Sequence, residues 1–194
     1  MTVLSIRQTL ESAQTLGLDR LDAQLLLLFA LGKPADARAW LLAHDDDALP
    51  AQVGALFRSF SLRRTAGEPL AYIVGYKEFF GLPFAVDARV LVPRPDTETL
   101  VQWVLDAASD MVAPEILDLG TGSGAVGIAV AHCLKARVTA TDFSEAALAV
   151  ASHNARQLGV DVQFIQSNWF DKVSGHYHVI ASNPPYIASN DPHL

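Results

Sequence analysis

Apolar positions recur at helical spacing through the first third of the chain. Val3, Ile6, Leu10 and Ala13 predict a first helix. Asp19, with Asp22 three positions on, supplies the cap of a second, in which Leu25 to Phe29 are apolar almost all round. A helix of that kind must be covered on several sides. Gly32 and Pro34 stop it. A third helix is predicted over about Ala35 to Ala43, and the acidic tract Asp45 to Asp47 makes a solvated turn. Pro50 opens a fourth, where Val53, Leu56, Phe57 and Phe60 repeat at i, i+3, i+4, i+7. Residues 1–68 therefore read as a small helical bundle, suited to packing or recognition and carrying no evident chemistry.

The pattern changes after Gly67. The stretch AYIVGYKEFFGLPFAVDARVLV is rich in β-branched and aromatic residues, punctuated by Gly81 and Pro83, and predicts a β-hairpin linker over 69–92. Pro93 to Glu98 (PRPDTE) breaks it, and Asp96 or Thr97 caps a helix with the apolar face Leu100, Val104, Ala107 and Ala108. From Pro114 strands and helices alternate. EILDLG, RVTATD, VQFIQS and HYHVIAS read as four strands, with GSGAVGIAVAHCL and SEAALAVASHNARQLG as the intervening helices, the latter capped by Ser144 and stopped at Gly159. Such alternation predicts βαβ units, a parallel sheet and an α/β, Rossmann-like domain over 93–194.

The turn Gly120-Thr121-Gly122-Ser123-Gly124 joins the first of these strands to its helix. Glycines there permit a tight turn and let a ligand approach the backbone, while the N–H groups of the helix start face the crevice. From Gly122 the residues also satisfy G-x-G-x-x-G, a weak signal taken alone. Asp142 lies 22 residues after Gly120, at the end of the second strand, where a carboxylate accepts both hydrogen bonds of a ribose diol. That arrangement serves NAD and S-adenosylmethionine equally. Asp118, just before the loop, either contacts the cofactor or holds the loop in place.

Asn183-Pro184-Pro185-Tyr186 follows the fourth strand directly, and in an open α/β sheet the ligand crevice lies at the carboxyl ends of the strands. Two prolines fix two φ angles and remove two N–H donors, leaving carbonyl acceptors. Asn183 adds a side-chain acceptor and Tyr186 a flat face. A rigid, neutral, acceptor-rich site suits a planar –NH₂ group whose lone pair is tied up by conjugation. Acceptors hold both hydrogens, aim the nitrogen at a methyl donor and favour the charge that develops on it. Hydride transfer has no use for this device, so methyl transfer to a conjugated nitrogen is the better reading.

Composition narrows the class further. Apolar residues make up 51% of the 194 positions, enough for a buried core. The formal charge of −7 opposes a general grip on nucleic acid. One cysteine, Cys133, excludes an intrachain disulfide and a cysteine-built zinc cage, which fits a reducing compartment. No secretory signal is visible, and the apolar run from Leu25 to Leu31 is far short of the roughly 20 residues of a membrane span. The expectation is a cytoplasmic protein without membrane or direct nucleic-acid partners, and a monomer.

ILDLGTGSG, TATD, SNWF and NPPY, with PRPDTE and the EFFGLPF hairpin upstream, resemble the HemK/PrmC family over nearly the whole chain. NPPY alone is shared with adenine-N6 methyltransferases; VLVPRPDTE together with NPPY makes the resemblance specific. It implies a class I S-adenosylmethionine-dependent methyltransferase domain behind a helical N-terminal domain. The implied activity is methylation of the side-chain nitrogen (N5) of the glutamine in the Gly-Gly-Gln motif of class I peptide chain release factors. By position, Gly120, Thr121, Gly122, Ser123 and Gly124 would cradle the methionine part of the cofactor, Asp142 its ribose, and Trp169 would lie by the adenine. Asn183 and the Pro184 carbonyl would hold the glutamine amide next to the cofactor, in the rigid turn with Pro185, with Tyr186 packing on it. The helical domain would hold the release factor. Family members continue with three more strands beyond the point where this chain stops, so a fragment cut after the fourth strand is expected, its last strand an uncovered apolar edge. The rival readings are an adenine-N6 DNA or RNA methyltransferase and an inactive remnant that only binds cofactor or partner.

Other residues have plainer readings. His176 and His178 share one strand face, but no third ligand is in view and methyl transfer from a sulfonium requires no metal, so no metal site is assigned. Cys133 reads as a small buried apolar residue. Arg63 and Arg64 read as a solvated helix end or a contact for acidic patches on the partner, and Arg94 and Glu98 as lining the site mouth or pairing with each other.

Overall fold

The computed structural model describes residues 4–184, in two compact units that meet between Gly75 and Tyr76 in the chain. Among the described residues no helix is long and apolar enough to cross a membrane.

The first unit is helical. Helices α1 (Ile6–Thr15), α2 (Arg20–Ala30), α3 (Arg38–Ala43) and α4 (Ala51–Thr65) fall where the apolar spacing puts them. Ser5 and Gln8 form a reciprocal capping box on α1, and Asp19 accepts from the Leu21 N–H at 2.8 Å. Leu26, Leu27 and Leu28 of α2 are all fully buried, so this helix is indeed covered on several sides. On α4 the buried residues are Phe57, Phe60 and Ser61, while Leu56 is exposed. Residues 70–74 are the main departure: they form a fifth helix, α5 (Leu70–Val74), not the start of a hairpin. Ala71 and Ile73 are buried, and Gly75, in the left-handed region at φ 82°, ends the turn. Burial against α2 and α4 outweighs the β preference of Tyr72, Ile73 and Val74.

Arg63 and Arg64 lie in the last turn of α4, Arg63 exposed and Arg64 half-buried, and both are paired. Arg63 pairs with Glu68, its Nε 2.7 Å from Oε2, and Arg64 Nε lies 2.7 Å from Asp22 Oδ2, joining α4 to α2.

In the second unit β1 (Tyr76–Phe79) and β2 (Leu82–Ala85) form the antiparallel hairpin. Phe79 and Phe84 are fully buried and belong to this unit's core, each worth about 1.5–3 kcal/mol of burial. A 3₁₀ turn over Pro95–Thr97 leads into α6 (Glu98–Ala108), whose buried face is Val101, Val104 and Ala108; Ala107 is exposed. Then follow β3 (Glu115–Leu119), α7 (Ala125–Cys133), β4 (Arg137–Asp142), α8 (Glu145–Leu158), β5 (Gln163–Gln166) and β6 (Val179–Ser182). The described strands make a wholly parallel sheet of order β5-β4-β3-β6. The chain runs from β3 out to β5 and then returns to the other side of β3, so the order reverses between β3 and β6. Ligand crevices of open α/β sheets lie at such a point, outside the carboxyl ends of the strands. Among the described strands β6 is an edge, with Ile180 exposed.

Two further readings are corrected. Cys133 is an exposed free thiol at the last turn of α7, because the helix's buried stretch ends at Val130. The fourth sheet strand starts at Val179, after the histidines. His178 brackets Glu115 instead, its Nδ1 accepting the Glu115 N–H at 3.0 Å and its own N–H reaching the Glu115 carbonyl at 2.8 Å.

Candidate active site

Strand register brings the site together. Leu119 of β3 pairs with Thr141 of β4 on one side and Ser182 of β6 on the other. The next residues along the three strands are Gly120, Asp142 and Asn183, so the glycine loop, the carboxylate and the start of the Asn-Pro segment leave the sheet along one edge. Ser182 Oγ donates to the Leu119 carbonyl at 2.9 Å and fixes the β6 end against the loop. The crevice between them is lined by Gly120 to Ser123, by Asn183, and by Val92, Pro93, Arg94 and Thr97. The VLVPRPDTE segment thus reaches the same crevice as the loop.

The loop is tied down by its neighbours. The N–H groups of Gly120 and Thr121 both donate to the Thr141 carbonyl at 2.9 Å. Gly120, Gly122 and Gly124 all have positive φ. At Gly124 a Cβ would lie 2.5 Å from Ile128 Cδ1 and 3.1 Å from Ala151 Cβ, so only glycine lets α7 start this close to α8. Gly127, the third glycine of the G-x-G-x-x-G spacing, lets α7 approach β3: its Cβ would lie 3.1 Å from Asp118 Oδ2.

Asp118 holds the loop. It is buried, accepts from Thr121 Oγ1 at 2.6 Å, and accepts from the Gly127 N–H at 2.9 Å, serving α7 as a remote cap. Burial pushes its carboxyl from 3.8 up to about 6, against the pull of those two hydrogen bonds, and the nearby Asp142 charge adds to the rise. Asp142 Oδ2 accepts from the Gly122 N–H and Oδ1 from the Ser144 N–H, each at 2.9 Å. A carboxylate has about four lone-pair positions, so both oxygens keep capacity for a diol. The loop thus lies against two carboxyl side chains, Asp118 and Asp142, a donor set whose chemistry suits a cationic ligand and fits the sulfonium and ammonium of S-adenosylmethionine.

Two aromatic rings stand beyond Asp142. The Ser167 N–H donates to the Asp142 carbonyl at 3.0 Å, and Ser167 Oγ donates to the Trp169 carbonyl at 2.9 Å, holding Trp169 at φ 50° with its side chain exposed. Trp169 is therefore outside the crevice at the loop but on the Asp142 side of the sheet. Phe143, 75% exposed directly after Asp142, is an apolar face that sequence reasoning left out. Its signal is an aromatic where a βα loop begins.

Asn183 is exposed, and its Nδ2 donates to Thr97 Oγ1 at 2.9 Å. Pro184 follows, half-buried. Pro185 and Tyr186 lie outside the described residues. Arg94 lines the crevice mouth, while Glu98 accepts the Phe80 N–H at 3.1 Å and clasps the hairpin turn.

Asn154 of α8 is the supporting residue that sequence reasoning missed. It is buried, exchanges both backbone hydrogen bonds with Ala85 (2.8 and 3.0 Å) and donates to the Ser123 carbonyl at 2.9 Å, linking the hairpin to the glycine loop. The available signal was an amide inside the apolar stripe Ala147, Leu148, Ala151 and Ala155.

Comparison with known proteins gives the family of both units. The family model described as the methyltransferase small domain matches residues 95–193, and that described as the PrmC N-terminal domain matches residues 4–75. The chain is 49% identical over 181 residues to the release factor glutamine methyltransferase of Bordetella pertussis, covering 92% of this chain and 66% of that protein. It is 45% identical over 186 residues to the Burkholderia pseudomallei protein of the same name (91% and 64%), and 42% identical over 196 residues to that of Vibrio cholerae (98% and 67%). The chain thus spans about two thirds of the length of these relatives.

Proposed function

The chain belongs to the release factor glutamine methyltransferase family, and from that premise we propose that it transfers a methyl group from S-adenosylmethionine to a glutamine side-chain nitrogen, N5 of the glutamine in the Gly-Gly-Gln motif of class I peptide chain release factors. The observation that carries the reading is the convergence of Asn183 and Pro184 with the glycine loop and Asp142 on one sheet edge at the β3/β6 reversal. Gly120 to Gly124 cradle the methionine part and Asp142 binds the ribose. Phe143 and Trp169 offer flat faces to the adenine. When bound, the cofactor supplies a methyl carbon made electrophilic by its sulfonium.

The protein's own task is then to present a poor nucleophile. An amide nitrogen shares its lone pair with its carbonyl, and acceptors on both N–H bonds favour the charge it gains during attack. Asn183 Oδ1 and the Pro184 carbonyl are those acceptors. They are uncharged, so they add no competing base, and the proline fixes one of them. Pro185 and Tyr186 complete the segment in this proposal. The helical unit holds the release factor, the setting is cytoplasmic, and the enzyme acts as a monomer without a nucleic-acid partner.

The test offers the chain methyl-labelled S-adenosylmethionine with three acceptors: a release factor, the same factor with Gln→Ala in its Gly-Gly-Gln motif, and an adenine-containing duplex. Label on the intact factor alone is expected. Label on the duplex, or equally on both factors, overturns the proposal; cofactor binding without transfer to any acceptor identifies an inactive remnant.

A further inference from the structure

S-adenosylmethionine carries three charged groups: a sulfonium, an ammonium and a carboxylate. Asp118 and Asp142 beside the glycine loop suit the two cations and offer the carboxylate no attraction. An anion taken out of water without a partner is costly, so the crevice has to supply a positive group for it. Among the described residues that line the crevice, Arg94 is the one with a cationic side chain.

The backbone that carries Arg94 is fixed by its neighbours. A proline restricts the residue before it to extended conformations, and Arg94, directly before Pro95, has φ −97° and ψ 144°. Its carbonyl accepts the Thr97 N–H at 3.0 Å at the entry to the 3₁₀ turn, and Pro93 on its other side is buried. Ala125 and Val126, the first residues of α7, line the same crevice and bring to it the positive end of a helix dipole. A guanidinium has five N–H donors in a planar fork, of which two grip a carboxylate and three remain for other partners.

We infer that Arg94 binds the carboxylate of the cofactor's methionine part and so makes the site prefer a ligand that carries this group over one that lacks it. The inference rests on the proposed use of S-adenosylmethionine by this crevice. It gives Pro93-Arg94-Pro95 a task on the cofactor side, while Asn183 in the same crevice serves the substrate. The two acids beside the loop and the arginine at the mouth then match the ligand's charges group by group.

Decarboxylated S-adenosylmethionine keeps the nucleoside, the sulfonium and the ammonium and lacks only the carboxylate. Calorimetry on the full chain, without a release factor, compares Kd for the two ligands in the wild type, Arg94→Gln and Arg94→Lys. Arg94→Gln is expected to weaken S-adenosylmethionine binding roughly tenfold, the lower end for hydrogen bonds to a charged group because the mouth is open to water. Its Kd for the decarboxylated ligand is unchanged or slightly tighter, because that ligand is purely cationic. The preference between the two ligands therefore shrinks by at least the same factor. Arg94→Lys keeps the charge and loses the fork, so a loss of about threefold is expected, again confined to S-adenosylmethionine. Equal weakening of both ligands in either variant, or no weakening of either in Arg94→Gln, overturns the inference. A wild type that binds neither ligand refutes the proposed function along with it. The expected pattern of affinities in a chain that methylates no release factor leaves the Arg94 contact in place and refutes the proposed function alone.

Discussion

Asp118 gives the way the loop is held a pH signature. Its side chain is buried, and burial lifts its carboxyl from 3.8 to about 6. In the unfolded chain the group titrates at its ordinary value. Between those two pH values the folded protein keeps a proton that the unfolded chain has lost, so unfolding becomes easier as pH rises. This contribution to stability is fully present below 3.8 and lost above about 6. At about 1.4 kcal/mol per pH unit, the change across the interval is about 3 kcal/mol. Asp118→Asn keeps an oxygen for Thr121 Oγ1 and the Gly127 N–H but has no charge to bury. Urea titrations of both proteins from about pH 3.5 to about pH 7.5 isolate the effect as a difference between them, since their other titrating groups cancel. Asp87, which the neighbouring Arg89 holds down at about 2, is one such group. The stability of the wild type relative to the variant is expected to fall by about 3 kcal/mol over that range. A difference that is flat, or that rises with pH, would refute the argument that burial dominates this carboxylate.

Two further substitutions probe the same scaffold. Asn154→Ala removes three hydrogen bonds and strands the Ala85 N–H and two carbonyls, so the second unit is expected to lose about 2–4 kcal/mol in urea melts. The transition of the helical unit stays put; a loss below about 1 kcal/mol would mean that the hairpin and loop do not depend on this amide. Asp142→Asn discards a charge that receives the Gly122 N–H, and calorimetry should show S-adenosylmethionine binding weakened roughly ten- to a hundredfold, with little change in melting temperature.

The sequence made plain those features whose causes are local. Caps at Asp19 and Ser144 and the glycine loop depend on residues within a few positions of one another, and the structure has them in place. Strand alternation predicted the parallel sheet, and the edge on which the Asn-Pro segment starts follows from that sheet. Features that depend on distant partners were hidden. Residues 70–74 are β-prone by type and helical by burial. Asp22 meets Arg64 across 42 residues, Asn154 meets Ala85 across 69, and Asn183 meets Thr97 across 86; no periodicity encodes such pairs. Cys133 was misplaced because residue type sets a preference for burial, whereas the helix turn on which it falls sets the outcome.

In the proposed function Asn183 serves the substrate amide and the glycine loop serves the cofactor. Asn183→Ala separates the two when kcat for release-factor methylation and Kd for S-adenosylmethionine are measured on one preparation. The expected result is transfer reduced below detection with Kd changed by less than about tenfold, equivalent to about 1.4 kcal/mol. Undiminished transfer, or a loss of cofactor affinity as large as the loss of turnover, would contradict it.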